Sequence, residues 1–175
     1  HFHMMREGGG ARSCFIGNSV VNSQFRAYTI HGTNNSLVRW NTFFNTTGHS
    51  FYFEDGVEVG NTLEFNLGVR VNIIREPAAG GGQGGDDFTG GDDLIIPADT
   101  TASCFYLSSA AQYVRGNGCS GGWASFSLPI FDTALGTSSY INGLKHIIPK
   151  RWPTLEFNGN TAHSTYGGLY WSESA

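Results

Sequence analysis

Basic residues are scarce. Lysine and arginine number 10 in 175 residues, against 14 aspartates and glutamates, and they are scattered rather than clustered. A surface that grips nucleic acid needs a stripe of cations to neutralise phosphates, so nucleic acid is excluded as a partner. Long apolar runs are also missing. No stretch approaches the roughly 20 residues that carry a helix across a bilayer, so no membrane span is expected in this segment. Runs of alanine, lysine and glutamate are absent and proline numbers only five, a balance that favours strands and turns over helices. No leader segment is visible. The chain opens at His1-Phe2-His3 without an initiator methionine and closes at Ser174-Ala175 in mid-pattern. It is therefore expected to be a single segment, residues 1–175, of a larger protein, with solenoid ends that are uncapped here.

Cysteine is sparse and odd in number: Cys14, Cys104 and Cys119. Two readings stand. Cys104 can pair with Cys119, leaving Cys14 free or bonded elsewhere, or all three can be small buried side chains.

What the chain does have is 25 glycines, 13 phenylalanines and one recurring frame. An apolar residue, two further residues and an asparagine repeat at Phe15–Asn18, Val38–Asn41, Leu63–Asn66, Val114–Asn117 and Phe157–Asn160. A repeat of about 20–50 residues marks a solenoid. In a parallel β-helix an inward asparagine can stand above its counterpart in the previous coil, and the amides hydrogen-bond along the axis. An aromatic-rich strand follows: Tyr28-Thr-Ile30 and Phe51-Tyr-Phe53 in the short coils, Phe105-Tyr-Leu107 and Leu169-Tyr-Trp171 after altered spacings. The expected fold is all-β, a right-handed parallel β-helix of the pectin-lyase-like kind, with about five coils. The competing reading is that each asparagine marks a turn between unrelated strands.

Two breaks in the rhythm predict loop insertions, at about 75–100 and 128–151. Insertions leave a solenoid on one face and often build its binding surface. The first contains Gly81-Gly82-Gln83-Gly84-Gly85-Asp86-Asp87-Phe88-Thr89, which fits one copy of the nonapeptide calcium pattern, with Asp86 and Asp87 as candidate ligands. A second copy is broken at Asp93, and a solvated acidic loop is the alternative.

Aligning the coils on their inward apolar residues places Phe2, Ile30 and Phe53 at one level, so that His3, His31 and Glu54 follow as a column. Equivalent positions in neighbouring coils lie about 4.8 Å apart, and His1 shares a strand face with His3. Three readings stand for this column. It can be a hydrogen-bonded ladder that fixes register. It can be a divalent-metal site, zinc or calcium, on His1, His3, His31 and Glu54. It can supply acid and base for a glycan, with His3, His31, Glu54 and Asp55 as catalytic candidates. By default Asp55 caps the turn at Gly56, and His49 and His163 are structural histidines. Asn34-Asn-Ser36 and Asn45-Thr-Thr47 are glycosylation sequons, with Asn34 and Asn45 as acceptors. Most aromatics belong to the core. Tyr52 and Tyr106, at outward positions, are candidates for a ladder that stacks on sugar rings.

The strings Ala27-Tyr-Thr-Ile-His-Gly-Thr-Asn-Asn-Ser-Leu-Val38, Gly48-His-Ser-Phe-Tyr-Phe-Glu-Asp-Gly-Val-Glu58 with Gly60-Asn61, Asn160-Thr-Ala-His-Ser164 and the opening His1-Phe-His-Met4 carry a resemblance. Together they resemble the extracellular β-helix of the fibrocystin-L and cell-surface hyaluronidase family, which includes the cell migration-inducing hyaluronan-binding protein and the transmembrane hyaluronidase. The stretch Glu54–Asn61 stands slightly nearer to fibrocystin-L, and the insertions Gly80–Asp93 and Leu128–Arg151 depart from the family's pattern. The resemblance implies an extracellular or cell-surface module with a structural, adhesive or glycan-binding role, whose partners are extracellular polysaccharide or neighbouring surface and filament proteins. It implies as the alternative a glycoside hydrolase that depolymerises a hyaluronan-like polysaccharide. No catalytic residue of the family is carried over, because the residues associated with that cleavage lie outside this segment.

Overall fold

The structure is a computed structural model that describes residues 1–6, 13–73 and 101–173. Sixteen strands are seen in them: β1 (Phe2–Arg6), β2 (Cys14–Ile16), β3 (Ser19–Val21), β4 (Tyr28–Thr33), β5 (Leu37–Arg39), β6 (Thr42–Thr47), β7 (Phe51–Phe53), β8 (Thr62–Glu64), β9 (Leu67–Asn72), β10 (Ser103–Tyr106), β11 (Tyr113–Arg115), β12 (Gly118–Gly121), β13 (Ala124–Ile130), β14 (Glu156–Asn158), β15 (Thr161–His163) and β16 (Gly167–Glu173). They form three sheets, in the orders β1-β4-β7-β10-β13-β16, β14-β11-β8-β5-β2 and β15-β12-β9-β6-β3. Every pairing is parallel. Each coil contributes one strand to each sheet, so the chain winds as a parallel β-helix of five coils preceded by β1. No helix among the described residues is long and apolar enough to cross a membrane.

Register follows from what each coil buries. Phe15, Val38, Leu63, Val114 and Phe157 stack in one sheet. Tyr28, Phe51, Phe105 and Phe126 stack in another, with Phe51 and Phe105 rings 4.4 Å apart and Phe105 and Phe126 4.8 Å apart. Fully burying one such side chain contributes about 1.5–3 kcal/mol, and a slip of one residue would turn the whole set outward.

The asparagine frame becomes a continuous ladder at the corner between the two five-stranded sheets. Each Nδ2 donates to the next Oδ1, Asn18 to Asn41 at 3.2 Å, Asn41 to Asn66 at 2.9 Å, Asn66 to Asn117 at 3.0 Å and Asn117 to Asn160 at 3.1 Å. The same oxygens accept the backbone N–H of the preceding asparagine at 3.0 Å. From Asn41 onward each Nδ2 also donates to a backbone carbonyl of the previous coil. The residue before every ladder asparagine has positive φ: Gly17, Trp40, Phe65, Gly116 and Gly159. That left-handed residue turns the chain from one sheet into the next.

Cys104 of β10 and Cys119 of β12 form a disulfide inside the core, and Cys14 is free and exposed. Gly68 makes room for the bridge, since a Cβ there would come within 2.9 Å of the Cys104 sulfur.

The first expected insertion, about 75–100, with Asp86 and Asp87, lies outside the described residues. The second begins later than expected. Leu128 is buried and β13 continues to Ile130, pairing with Trp171–Glu173 of β16, so the insertion runs from residue 131 to 155. It carries two 3₁₀ turns, Gly136–Tyr140 and Pro149–Arg151, and folds back on the outer face of the six-stranded sheet. Phe131 and Leu135 cover Tyr52 and Tyr106 there.

Candidate functional site

The expected column exists. His3 and His31 are partners across β1 and β4, and their rings sit 4.6 Å apart, edge to face. Ile30 and Phe53 are partners across β4 and β7, which brings Glu54 beside His31. The His31 Nδ1 lies 3.4 Å from Glu54 Oε2. His1 joins the group, its ring 5.1 Å from that of His3 and 6.0 Å from that of His31. One nitrogen from each of His1, His3 and His31 lies within 4.8 Å of the other two, and ligand atoms of His31, Glu54 and Asp55 meet the same limit.

Asp55 departs from the expected cap of a local turn. It is fully buried, and its Oδ2 lies 3.0 Å from His31 Nε2. The same oxygen accepts the Ser138 N–H at 3.2 Å and the Ser138 hydroxyl at 2.5 Å. The Leu135 N–H donates to the Asp55 carbonyl. The second insertion therefore locks Asp55 against His31 from the far side. Asp55 holds the His31 imidazole above its ordinary pKa; burial works against this, and Glu54 and Glu58 add to the rise.

Glu58 is a member that sequence reasoning missed. Its Oε1 accepts the N–H of Gly32 at 2.9 Å and of Asp55 at 3.0 Å. It is fully buried, and burial pushes its carboxyl up to about 7. The backbone needs Gly32 at this point. Its φ is +54°, and a Cβ there would meet Met4 Sδ at 2.6 Å. The pair His31-Gly32 thus combines a site side chain with the backbone turn that brings its neighbouring N–H to Glu58.

A second feature was also missed. On the outer face of the β2-β5-β8-β11-β14 sheet, Arg39, Glu64 and Arg115 stack in register. Glu64 pairs with Arg39 and, at 3.4 Å, with Arg115, which reaches Glu156 at 2.6 Å. Beside this row a groove of about 490 Å3 is bordered by Asn35, Arg39, Thr62, Glu64, Tyr113 and Arg115. The signal was present in the sequence: each charge directly follows the apolar residue of the asparagine frame.

The remaining candidates separate. Tyr52 and Tyr106 do stack, 5.1 Å apart, but they are buried at 4 % and 1 % exposure, so the expected sugar-stacking ladder is closed by the insertion. His49 is structural, its Nδ1 accepting the Ser103 N–H at 2.9 Å. Asn34 is half-buried and its Oδ1 accepts the Val59 N–H. Asn45 belongs to a second, outer ladder, donating to Asn22 at 2.7 Å and accepting from Asn72 at 3.1 Å.

The sequence model described as CEMIP beta-helix matches residues 1–169. Communication mutant protein F of Dictyostelium discoideum is 44 % identical over 176 residues, covering 100 % of this chain and 15 % of that protein. Fibrocystin-L of Mus musculus is 30 % identical over 154 residues, covering 87 % of this chain and 3 % of that protein. Cell surface hyaluronidase CEMIP2 of Homo sapiens is 42 % identical over 74 residues, covering 39 % of this chain and 5 % of that protein. The chain spans less than about a sixth of the length of each of these relatives. On the five-coil fold and the match over nearly its whole length, the chain belongs to the CEMIP β-helix family.

Proposed function

We propose that this chain is an extracellular, cell-surface β-helix module with a structural and adhesive role, and that it holds a polysaccharide along the groove beside Arg39, Glu64 and Arg115. The observation that carries this reading is the groove itself. It pairs an aromatic ring, Tyr113, with polar groups at intervals fixed by the coil spacing. A polysaccharide presents a repeated ring and hydroxyl pattern that suits such a row. The guanidinium groups are already paired with Glu64 and Glu156, so they act as oriented hydrogen-bond donors rather than as free cations. Support for the location comes from the printed name of the human relative, a cell surface protein, and from the disulfide, a bond that persists in oxidising compartments. The test is binding of the full-length protein to a panel of uncharged and acidic polysaccharides. Tyr113→Ala and Arg115→Ala are expected to weaken the best ligand at least about tenfold, since stacking and charge-assisted hydrogen bonds each carry a kcal/mol or more. Unchanged binding in both variants overturns the groove.

A second reading is a polysaccharide depolymerase of the hyaluronidase kind. It is favoured by the same relative's name and by a histidine held between two carboxylates. Incubation of the full-length protein with hyaluronan, followed by sizing of the polymer, decides it. Shortening that is abolished by Glu54→Gln places the chemistry in this cluster.

A further inference from the structure

We propose that His1, His3 and His31, with the Glu54 carboxylate as an oxygen donor, bind one divalent transition-metal ion of the zinc type on the outer face of β1, β4 and β7. The inference does not depend on the glycan reading.

The first argument is the kind of donor brought together. Three imidazoles converge within 4.8 Å, two of them exposed and one buried. Protonated, three such rings repel one another. Neutral, they offer nitrogen lone pairs as ligands. Imidazole nitrogen suits zinc, copper and nickel, whereas calcium takes six to eight oxygens. Tetrahedral zinc at about 2.0–2.1 Å from nitrogen sets its ligands roughly 3.3 Å apart. His1 and His3 are exposed and can rotate inward, so the gap closes by side-chain motion alone.

The second argument is the support behind His31. A metal-bound histidine characteristically gives its other ring nitrogen to a carboxylate, which fixes the tautomer and aims the ring. Asp55 stands at that place. It is fully buried, faces His31 Nε2 at 3.0 Å and is itself held by the Ser138 N–H and hydroxyl. Gly136 closes its other side, since a Cβ there would lie 2.6 Å from Asp55 Oδ1. With Nε2 set against the Asp55 carboxylate at 3.0 Å, Nδ1 is the nitrogen left to bind, and it is the one that faces Glu54, at 3.4 Å. Asp55 is thus a positioning residue supplied with its own scaffold by the second insertion. His49 shows the contrast: it is buried, its Nδ1 accepts a backbone N–H, and its ring packs against Tyr52 and Tyr106.

The test uses the full-length protein, stripped with a chelator and titrated with ZnCl2 by calorimetry and with CoCl2 by visible absorption. The double variant His1→Ala/His3→Ala is expected to lose one equivalent of zinc and the intense absorption of low-coordinate Co2+. His3→Ala alone is expected to weaken that equivalent at least about tenfold, and Asp55→Asn about tenfold with the equivalent retained. His1 and His3 are exposed, so their replacement leaves the metal-free melting temperature unchanged, which a melt in chelator verifies. The same zinc stoichiometry and affinity in wild type and in the double variant overturns the site. Displacement of that zinc by equimolar CaCl2 overturns its assignment to the zinc class.

Discussion

Asn66 and His31 are both buried polar side chains, 1 % and 5 % exposed, yet their surroundings differ in kind. Asn66 is one of five identical neutral amides, and its side chain makes four hydrogen bonds: to Val38 O, to Asn117 and two from Asn41. His31 sits in a single cluster with Glu54, Asp55 and Glu58, where burial and charge shift ionisation and where Asp55 Oδ1 and Glu58 Oε2 have no hydrogen-bond partner among the described residues. The ladder repeats a satisfied unit, so it can be extended coil by coil with no electrostatic cost. The cluster gathers incompletely hydrogen-bonded ionisable groups at one place, and perturbed ionisable groups gather where chemistry or binding is done. The repeated neutral amide is structural, whereas the charged cluster around His31 is the candidate site for a metal ion.

The comparison breaks most sharply at the ladder's centre. Asn66→Ala strands the Asn41 N–H and the Val38 carbonyl in the interior and is expected to cost about 4 kcal/mol, at 1–3 kcal/mol per orphaned group. Asn18→Ala, at the exposed end, is expected to cost about 1 kcal/mol or less. Denaturant titration of both variants measures the difference; equal losses would mean that the amides do not act as a chain.

The cluster is sharpened by pH. Glu58 has its carboxyl raised from 4.5 to about 7 by burial. The folded state then binds more protons than the unfolded chain between those values. The stability it contributes is fully present below about pH 4.5 and is lost as pH rises through about 7. Glu58→Gln keeps an acceptor for the Gly32 and Asp55 N–H groups and removes the titration. The variant is expected to gain on wild type as pH rises from 5 to 8, by up to about 3 kcal/mol. Parallel stability curves would show that Glu58 stays in one ionisation state throughout.

The smallest effect lies at the corner residues. Trp40 holds φ +58° with its side chain 59 % exposed, at a level where Gly17, Gly116 and Gly159 serve other coils. A bulky residue in that region costs roughly 1–2 kcal/mol relative to glycine, partly offset by glycine's greater freedom when unfolded. Trp40→Gly is expected to be neutral or to stabilise by up to about 1 kcal/mol in thermal melts. A clear loss would reveal that the exposed indole packs usefully on Arg39, whose guanidinium lies 5.3 Å from its ring.

The sequence spoke clearly wherever the coil period carried the information. The stack Phe15-Val38-Leu63-Val114-Phe157 and its asparagines were legible because every coil repeats them. His3, His31 and Glu54 were legible by their common offset from Phe2, Ile30 and Phe53. The Arg39–Glu64–Arg115 row obeyed the same rule and was overlooked. Asp55 could not be read in this way. Its partner Ser138 is 83 residues away in an insertion without period, and no local pattern announces such a contact. The burial of Tyr52 and Tyr106 has the same origin: alternation correctly placed them on the outer face, and the insertion then covered that face.

The Cys104–Cys119 bridge has a mechanical consequence. A solenoid pulled along its axis sheds coils in turn from its ends, because each coil contacts only its neighbours. The bridge joins strands of the third and fourth coils and closes a loop with a sequence separation of 15. Under tension that loop cannot pay out, so an oxidised molecule yields about 50 Å less contour than a reduced one, at roughly 3.3–3.6 Å per extended residue. The chain on either side lengthens freely, while the staple remains as a fixed knot in the tether.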